Sequence, residues 1–262
     1  MVGLGIILTV CVVALLAPWL APDNPTAMQL TARRQPPSFE HPMGLDELGR
    51  DILSRVLYGA RLSLRVGVVA VLLSLTIGGL LGLLSGYFGG WTDGVIVSLL
   101  DVMFAIPTLL LAMAVIMILG RGLTSATYAV AFAAVPVFAR LTRVGVQSAK
   151  GQDHVLAARS VGVPTGRLLA RYILPAAFTP VLVLSMLFVG TAILEVAALS
   201  FLGLGAQPPA PEWGAMIAQG RGAVFAAPHI VLFPGLAIMI TVLGFNFLGD
   251  GLRDVFDPRT EM

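Results

Sequence analysis

Charge is what this sequence has least of. Asp, Glu, Lys and Arg make up 11% of its 262 residues, against about 25% in a soluble domain, which excludes an ordinary water-soluble globule. Lysine occurs once, as Lys150 between Ala149 and Gly151. The Gly-Lys-Ser/Thr of a phosphate-binding loop is therefore missing, and any ATP has to be bound by another chain. Cysteine also occurs once, as Cys11, so no intrachain disulfide forms and the redox compartment stays unread. Neither the His-Glu-x-x-His zinc motif nor the Gly-x-Ser-x-Gly nucleophile turn is present, which argues against intramembrane hydrolases of those kinds. His41, His154 and His229 are scattered without metal-binding spacing. A net charge of +2 gives no reason to expect nucleic acid.

What is abundant is apolar sequence. Hydrophobic residues reach 57% and mean hydropathy is +0.92, the profile of a polytopic membrane protein. The apolar runs are long and continuous, which favours helices over the short alternating strands of a barrel. Since about 20 apolar residues cross a hydrocarbon core, six transmembrane helices are expected, at about 3–20, 62–86, 93–119, 124–146, 178–202 and 229–249. The first run lacks the basic leader of a signal peptide and ends at Trp19, an interface anchor, so it reads as a span. The same lack points to a short basic leader upstream of Met1.

Between the spans, the proline-rich 21–42 stretch forbids a long helix. From Asp46 the spacing of Leu48, Ile52, Leu53, Val56 and Leu57 predicts an amphipathic helix on the membrane surface, running into the second span. The Gly- and Pro-rich segment 203–228 predicts a turn and a short surface helix. Gly78, Gly79, Gly82 and Gly86 predict close helix–helix approach, and a seam for a partner subunit. Lys and Arg divide evenly between the two sides, so the positive-inside rule does not orient the chain.

One segment stands apart, Asp153 to Pro175, a long hydrophilic stretch between apolar runs. A short helix over 152–161 is expected, with Asp153 near its start where a carboxylate suits the helix dipole. Gly162 supplies a left-handed cap. Pro164 begins a second short helix that carries Arg167 and Arg171 on one face. Pro175 is expected to break that helix and redirect the chain into the membrane. Ala157 and Ala158 keep one face flat. The result is a helix–turn–helix elbow sized for a partner's cleft; the plainer reading is a polar loop carrying positive-inside arginines.

Ala157-Ala158-Arg159-Ser160-Val161-Gly162, followed by Ile173-Leu174-Pro175, resembles the "EAA" loop of permease subunits in binding-protein-dependent ABC importers. The likeness extends from about His41 to Arg259 and is closest to the second membrane subunit of dipeptide, oligopeptide and nickel importers. It rests on His41 through Asp51, Tyr58 through Arg61, Gly86 through Trp91, Asp101 through Pro107, Leu199 through Gly205 with Gln207-Pro208-Pro209, Phe233-Pro234-Gly235, Asn246 through Asp254, and Asp257-Pro258-Arg259. It departs from the family at three positions. Leu156 replaces the loop's usual glutamate, Ser98 replaces an arginine common before the helix-three aspartate, and Glu195 falls one residue early.

The resemblance implies an all-α type I importer permease. The first helix, outer loop and amphipathic helix occupy 1–61, a core of five spans occupies 62–252, and a tail occupies 253–262. It implies a translocation subunit without catalytic residues, metal or cofactor of its own, ATP and Mg being bound by two partner ATPases. A related permease and an extracytoplasmic substrate-binding protein complete the assembly. Both termini would be cytoplasmic, in a bacterial or archaeal plasma or inner membrane. The ATPase-coupling residues carried over are Asp153, Ala157, Ala158, Arg159, Gly162, Arg167 and Pro175. Asp101, Glu195 and Ser200 are candidates for the translocation path, with a structural contact preferred for Asp101 because intramembrane charge is costly and usually paired. Peptide is the expected cargo; nickel or another small solute is the alternative. A secondary transporter or channel is the runner-up class, disfavoured by the lack of paired, broken-helix repeats.

Overall fold

A computed structural model describes residues 2–256; the Asp257-Pro258-Arg259 motif and the rest of the tail lie outside them. The described residues form helices and turns without a named strand. Ten helices carry the fold: α1 (Val2–Leu20), α2 (Ile52–Phe88), α3 (Gly90–Phe104), α4 (Thr108–Leu119), α5 (Leu123–Lys150), α6 (Asp153–Ser160), α7 (Thr165–Leu168), α8 (Leu174–Phe201), α9 (Trp213–Gly220) and α10 (His229–Phe256).

The most extensive interface joins α2 to α5, and glycine makes it possible. A Cβ on Gly78 would stand 2.6 Å from the Val135 carbonyl oxygen and one on Gly86 2.8 Å from that of Arg143, while one on Gly82 would come closer still to that of Ala139. Glycine at every fourth residue lines one face of α2, and the backbone of α5 lies directly on it. Gly79 belongs to another face, with nothing nearer than a Phe178 ring atom at 3.9 Å. The seam expected for a partner subunit is thus filled by this chain's own α5.

The ascending contacts 78–135, 82–139 and 86–143 also show that α2 and α5 run parallel. The segment between them must therefore return the chain across the bundle. It does so as α3 and α4, bent by 94° at their junction. The expected single helix over 93–119 is broken here. Ala105 caps α3 and Pro107 is the N-cap of α4, and proline disfavours helical geometry in the residue before it. With this pair counted as one span, six segments cross: α1, α2, α3–α4, α5, the α7–α8 rod and α10.

Gly3 packs on Phe247 and Leu248, and Gly244 on Ile6 and Ile7, so α1 and α10 are antiparallel. Gly190 meets Val242 and Phe245 while Gly249 meets Leu187, so α8 and α10 are antiparallel too. The start of α1, the ends of α2, α5 and α10, and the start of the α7–α8 rod consequently share one side of the bundle.

On the opposite side the structure corrects two expectations. The amphipathic stretch after Asp46 does not lie on a membrane surface. Residues 46–51 form a turn, and only from Ile52 does the stretch become helical, as the first turns of α2, which runs for 37 residues, about 55 Å against a hydrocarbon core of about 30 Å. Its apolar residues are covered by the protein itself: Ile52 and Ala60 are buried with Trp213, Met216 and Ile230. Nor is α9 a surface helix, since Trp213, Gly214, Ala215 and Met216 are all buried. Trp213 donates from Nε1 to the Val56 carbonyl at 3.0 Å. Glu212 caps α9 by accepting from the N–H groups of Gly214 (3.0 Å) and Ala215 (2.9 Å), and burial raises its carboxyl above the usual carboxylate range.

Segment 21–51 straps over this end. Asp51 caps α2, accepting from the Ser54 N–H at 2.7 Å, while its other oxygen lies 3.1 Å from His41 Nδ1. Asp23 Oδ2 stands 3.7 Å from the same ring nitrogen. The sequence separates these three residues widely; the fold gathers their ligand atoms within 4.8 Å of one another.

Candidate coupling elbow and translocation path

The elbow begins where α5 ends. Lys150 donates to the Tyr87 carbonyl at 2.6 Å and lies over the Tyr87 ring, tying the ends of α2 and α5 together. Gly151 closes α5 and Gln152 precedes α6, whose first turn holds Asp153 and whose last turn holds Arg159, each charge complementing its end of the helix dipole. Gly162 has φ +79°, the left-handed conformation that a Cβ resists. The turn closes with Val161 N–H on the Ala157 carbonyl, Gly162 N–H on Arg159 and Val163 N–H on Ala158, a C-terminal cap of the Schellman kind. Pro164, extended at ψ 145°, then starts α7.

Contrary to expectation, Pro175 does not interrupt the helical path into the membrane. The rod from Thr165 to Phe201 is continuous, with a π-turn at Leu169–Ile173 closed by Leu174 N–H on the Leu169 carbonyl. A proline lacks the N–H for its own i−4 bond and crowds that carbonyl. One wider turn immediately before Pro175 accommodates both defects.

The two faces of the elbow differ. Val155, Ala158, Leu168 and Ile173 are buried with Val146, Ala149 and Ala177 in one cluster, against which Leu83 and Tyr87 pack. The elbow is thereby fastened to α2, α5 and α8 at once. Ala158 belongs to this inner face and is not available as part of a flat outer one. Asp153, Ala157, Arg159, Gly162, Arg167 and Pro175 are exposed. So are Leu156 at 47% and Val161 at 81%, apolar side chains presented beside arginine.

The acidic residues of α3 find cations on α5, Asp101 and Arg140 both on an exposed face of the described residues. Asp101 Oδ1 accepts from Arg140 Nη2 at 2.6 Å, and that guanidinium also covers the Phe104 ring at 4.2 Å. Asp93 is held by Arg143 through both oxygens and accepts a short hydrogen bond from Ser85. Arg140 thus supplies from α5 the cation that Ser98 cannot supply on α3; Ser98 merely donates to the Gly94 carbonyl. The pairing of Asp93 with Arg143 carries no local sequence signal, because 50 residues separate them.

Glu195 lies half-buried on α8, and its Oε2 is enclosed without a hydrogen-bond partner among the described residues. Ser200 is 2% exposed, and its hydroxyl accepts from the Ala206 N–H at 3.0 Å. It fastens the turn after α8 and borders an open cavity with Gln207, Gln219 and Arg221.

The description "Binding-protein-dependent transport system inner membrane component" matches residues 78–262. "N-terminal TM domain of oligopeptide transport permease C" matches residues 1–37. The dipeptide transport system permease protein DppC of Alkalihalophilus pseudofirmus is 48% identical over 258 residues, covering 98% of this chain and 85% of that protein. The glutathione transport system permease protein GsiD of Pectobacterium atrosepticum is 45% identical over 258 residues, with the same coverage. Among solved structures, the inward-facing MetNI methionine ABC transporter superposes with a TM-score of 0.63 at 20% identity, over 79% of this chain and 98% of that one. An amino acid ABC transporter gives a TM-score of 0.61 at 17% identity, over 78% and 95%.

Proposed function

This chain belongs to the inner-membrane components of binding-protein-dependent transport systems, the multi-pass permease subunits of ABC importers, and on that premise we propose that it admits di- or oligopeptides and takes its drive through the elbow at 153–175. The cargo assignment is supported by relatives named for dipeptide and glutathione transport. Nickel and other small solutes are the second reading of the cargo.

The observation that carries the mechanism is the two-faced elbow. Its inner face is sealed against three long helices by one apolar cluster, while its outer face presents Leu156 and Val161 to solvent. A push on that outer face reaches α2, α5 and α8 together. ATP and Mg bind in two partner ATPase subunits, whose closure moves the elbow; the helices tilt, and the path switches from inward- to outward-facing. Asp153, Ala157, Arg159, Gly162, Arg167 and Pro175 lie on or beside the docking face, while Ala158 anchors it from behind. The core proposed over 62–252 is flanked by 1–61 and 253–262; α2 runs across the first of these boundaries and α10 across the second. A related permease completes the pathway and a substrate-binding protein delivers cargo from outside. The elbow side, bearing the start of α1 and the end of α10, faces the cytoplasm. Along the path, Glu195 is the candidate for contact with a cargo amine.

The test is co-purification of the tagged chain with its partners from native membrane, alongside Gly162→Asp. Recovery of ATPase activity with the unaltered chain, and its loss in the variant at unchanged membrane abundance, is expected. Wild-type uptake by the variant would remove the elbow from the mechanism. Competition of uptake by dipeptides and by nickel then separates the two cargo readings.

A further inference from the structure

Asp23, His41 and Asp51 meet at the head of α2, and each is fixed there by bonds of its own. The Asp51 side chain is 1% exposed; the Ser54 N–H holds its Oδ2 and leaves Oδ1 to the His41 ring. His41 sits in a tight turn. Its N–H donates to Ser38 Oγ at 3.1 Å, and its carbonyl accepts from the N–H groups of Ser38 at 2.9 Å and Gly44 at 2.8 Å. The Gly44 carbonyl in turn accepts from the Ile52 N–H at 3.1 Å, which seats the turn on the helix beside its cap. Asp23 is tied by its N–H to Ser54 Oγ at 3.0 Å.

Hydrogen bonding alone does not use this arrangement fully. Nδ1 carries at most one proton. Asp51 Oδ1, at 3.1 Å, is within its reach; Asp23 Oδ2, at 3.7 Å, is not. No arginine or lysine pairs with either carboxylate among the described residues. Arg55, one turn along α2, lies 3.6 Å from Asp46 and donates to the Pro25 carbonyl instead. A divalent ion would engage all three atoms and offset both carboxylates beside a neutral imidazole. The separations of 3.1 and 3.7 Å from Nδ1 bracket the edge of about 3.4 Å of a tetrahedron built on zinc bonds of about 2.0–2.2 Å. The two carboxylate oxygens lie within 4.8 Å of each other, and half-buried Asp23 is the ligand placed to close in. Three protein ligands leave the fourth position to water. The imidazole nitrogen favours a transition ion over calcium or magnesium, which prefer all-oxygen shells.

We propose that Asp23, His41 and Asp51 bind one zinc ion, which clasps segment 21–51 to the head of α2. The clasp lies on the side opposite the elbow. Its role is structural and does not depend on which cargo the chain admits.

The experiment uses the purified importer complex, stripped with a chelator and reloaded with zinc. Its metal content, counted by mass spectrometry, should drop by about one zinc per copy of this chain in Asp23→Asn and in His41→Gln. Both changes leave the Asp51 cap in place. Asp23→Asn, at the half-buried rim, decides the count alone if His41→Gln does not assemble. At a zinc concentration about ten times its Kd, proteolysis within 21–51 should slow about tenfold in the unaltered complex and not in the variants. Calcium at the same concentration should not protect. Equal zinc content in all three proteins, or equal protection by calcium, would overturn the proposal and leave His41 as a hydrogen-bond partner of Asp51.

Discussion

Arg143 on α5 grips Asp93 on α3 with two nitrogens, Nε to Oδ1 and Nη2 to Oδ2, each at 2.6 Å. The contact is bidentate, the geometry in which an arginine–carboxylate pair is strongest. Arg143→Lys keeps the charge but not the fork, and should lower stability by on the order of 1 kcal/mol. Asp93→Asn should cost a similar amount. A double-mutant cycle on thermal unfolding checks the pair, and additive effects of the two changes would show that it contributes nothing.

Gly82 and Gly79 offer a paired contrast. A methyl at Gly82 would collide with the Ala139 backbone oxygen, whereas at Gly79 the nearest atom is 3.9 Å away. Gly82→Ala should therefore cost about 1–3 kcal/mol or more by forcing α2 from α5, with reduced membrane yield. Gly79→Ala should be neutral or slightly stabilising, because alanine favours the helix. Equal yields for the two would contradict the packing described.

At Gly162 the backbone, not space, is the constraint: φ is +79° and an added Cβ would meet nothing within 4 Å. Gly162→Ala should cost about 1–2 kcal/mol of local strain, and Gly162→Asn less, since asparagine tolerates this conformation better. ATP-driven uptake in proteoliposomes should follow the order Gly, Asn, Ala. Protease sensitivity of 153–175 should rise in the same order, lowest with Gly and highest with Ala.

Leu156 is 47% exposed, so Leu156→Glu should change stability by less than about 0.5 kcal/mol. The same change restores the glutamate usual at the head of this loop. Affinity for the ATPase, measured by binding in detergent, should increase. An unchanged affinity would mean that the partner contacts the elbow elsewhere.

Trp213→Phe removes the Nε1 donor to the Val56 carbonyl while keeping most of the buried ring. A loss of about 1 kcal/mol is expected, against about 3–5 kcal/mol for Trp213→Ala. Thermal unfolding of the two variants separates the hydrogen bond from the packing.

The spans are legible in the sequence because long apolar runs have few other uses, and the elbow because Gly162 and Pro164 punctuate a polar stretch. The break at 105–107 is hidden: Pro107 sits inside an apolar run whose composition alone permits one helix. Asp93, Asp101, Arg140 and Arg143 are visible as charges, but their pairing across 50 and 39 residues is a property of how α3 returns beside α5. Arg50 and Arg55 read as the polar face of an amphipathic helix. Only the fold shows that the strap and α9 cover them, since burial of an arginine depends on partners distant in the chain. Ala157 and Ala158 both suit close approach, and only the rotation of α6 decides that Ala158 turns inward.

The glycine seam between α2 and α5 has a mechanical consequence. Backbone keyed to backbone at three successive turns leaves no layer of side chains to shear, so these two helices travel as a single plank. A gate worked by this plank cannot open by sliding one of its halves past the other. The give must come from the joints at its borders, and the sharpest of these is the 94° corner between α3 and α4.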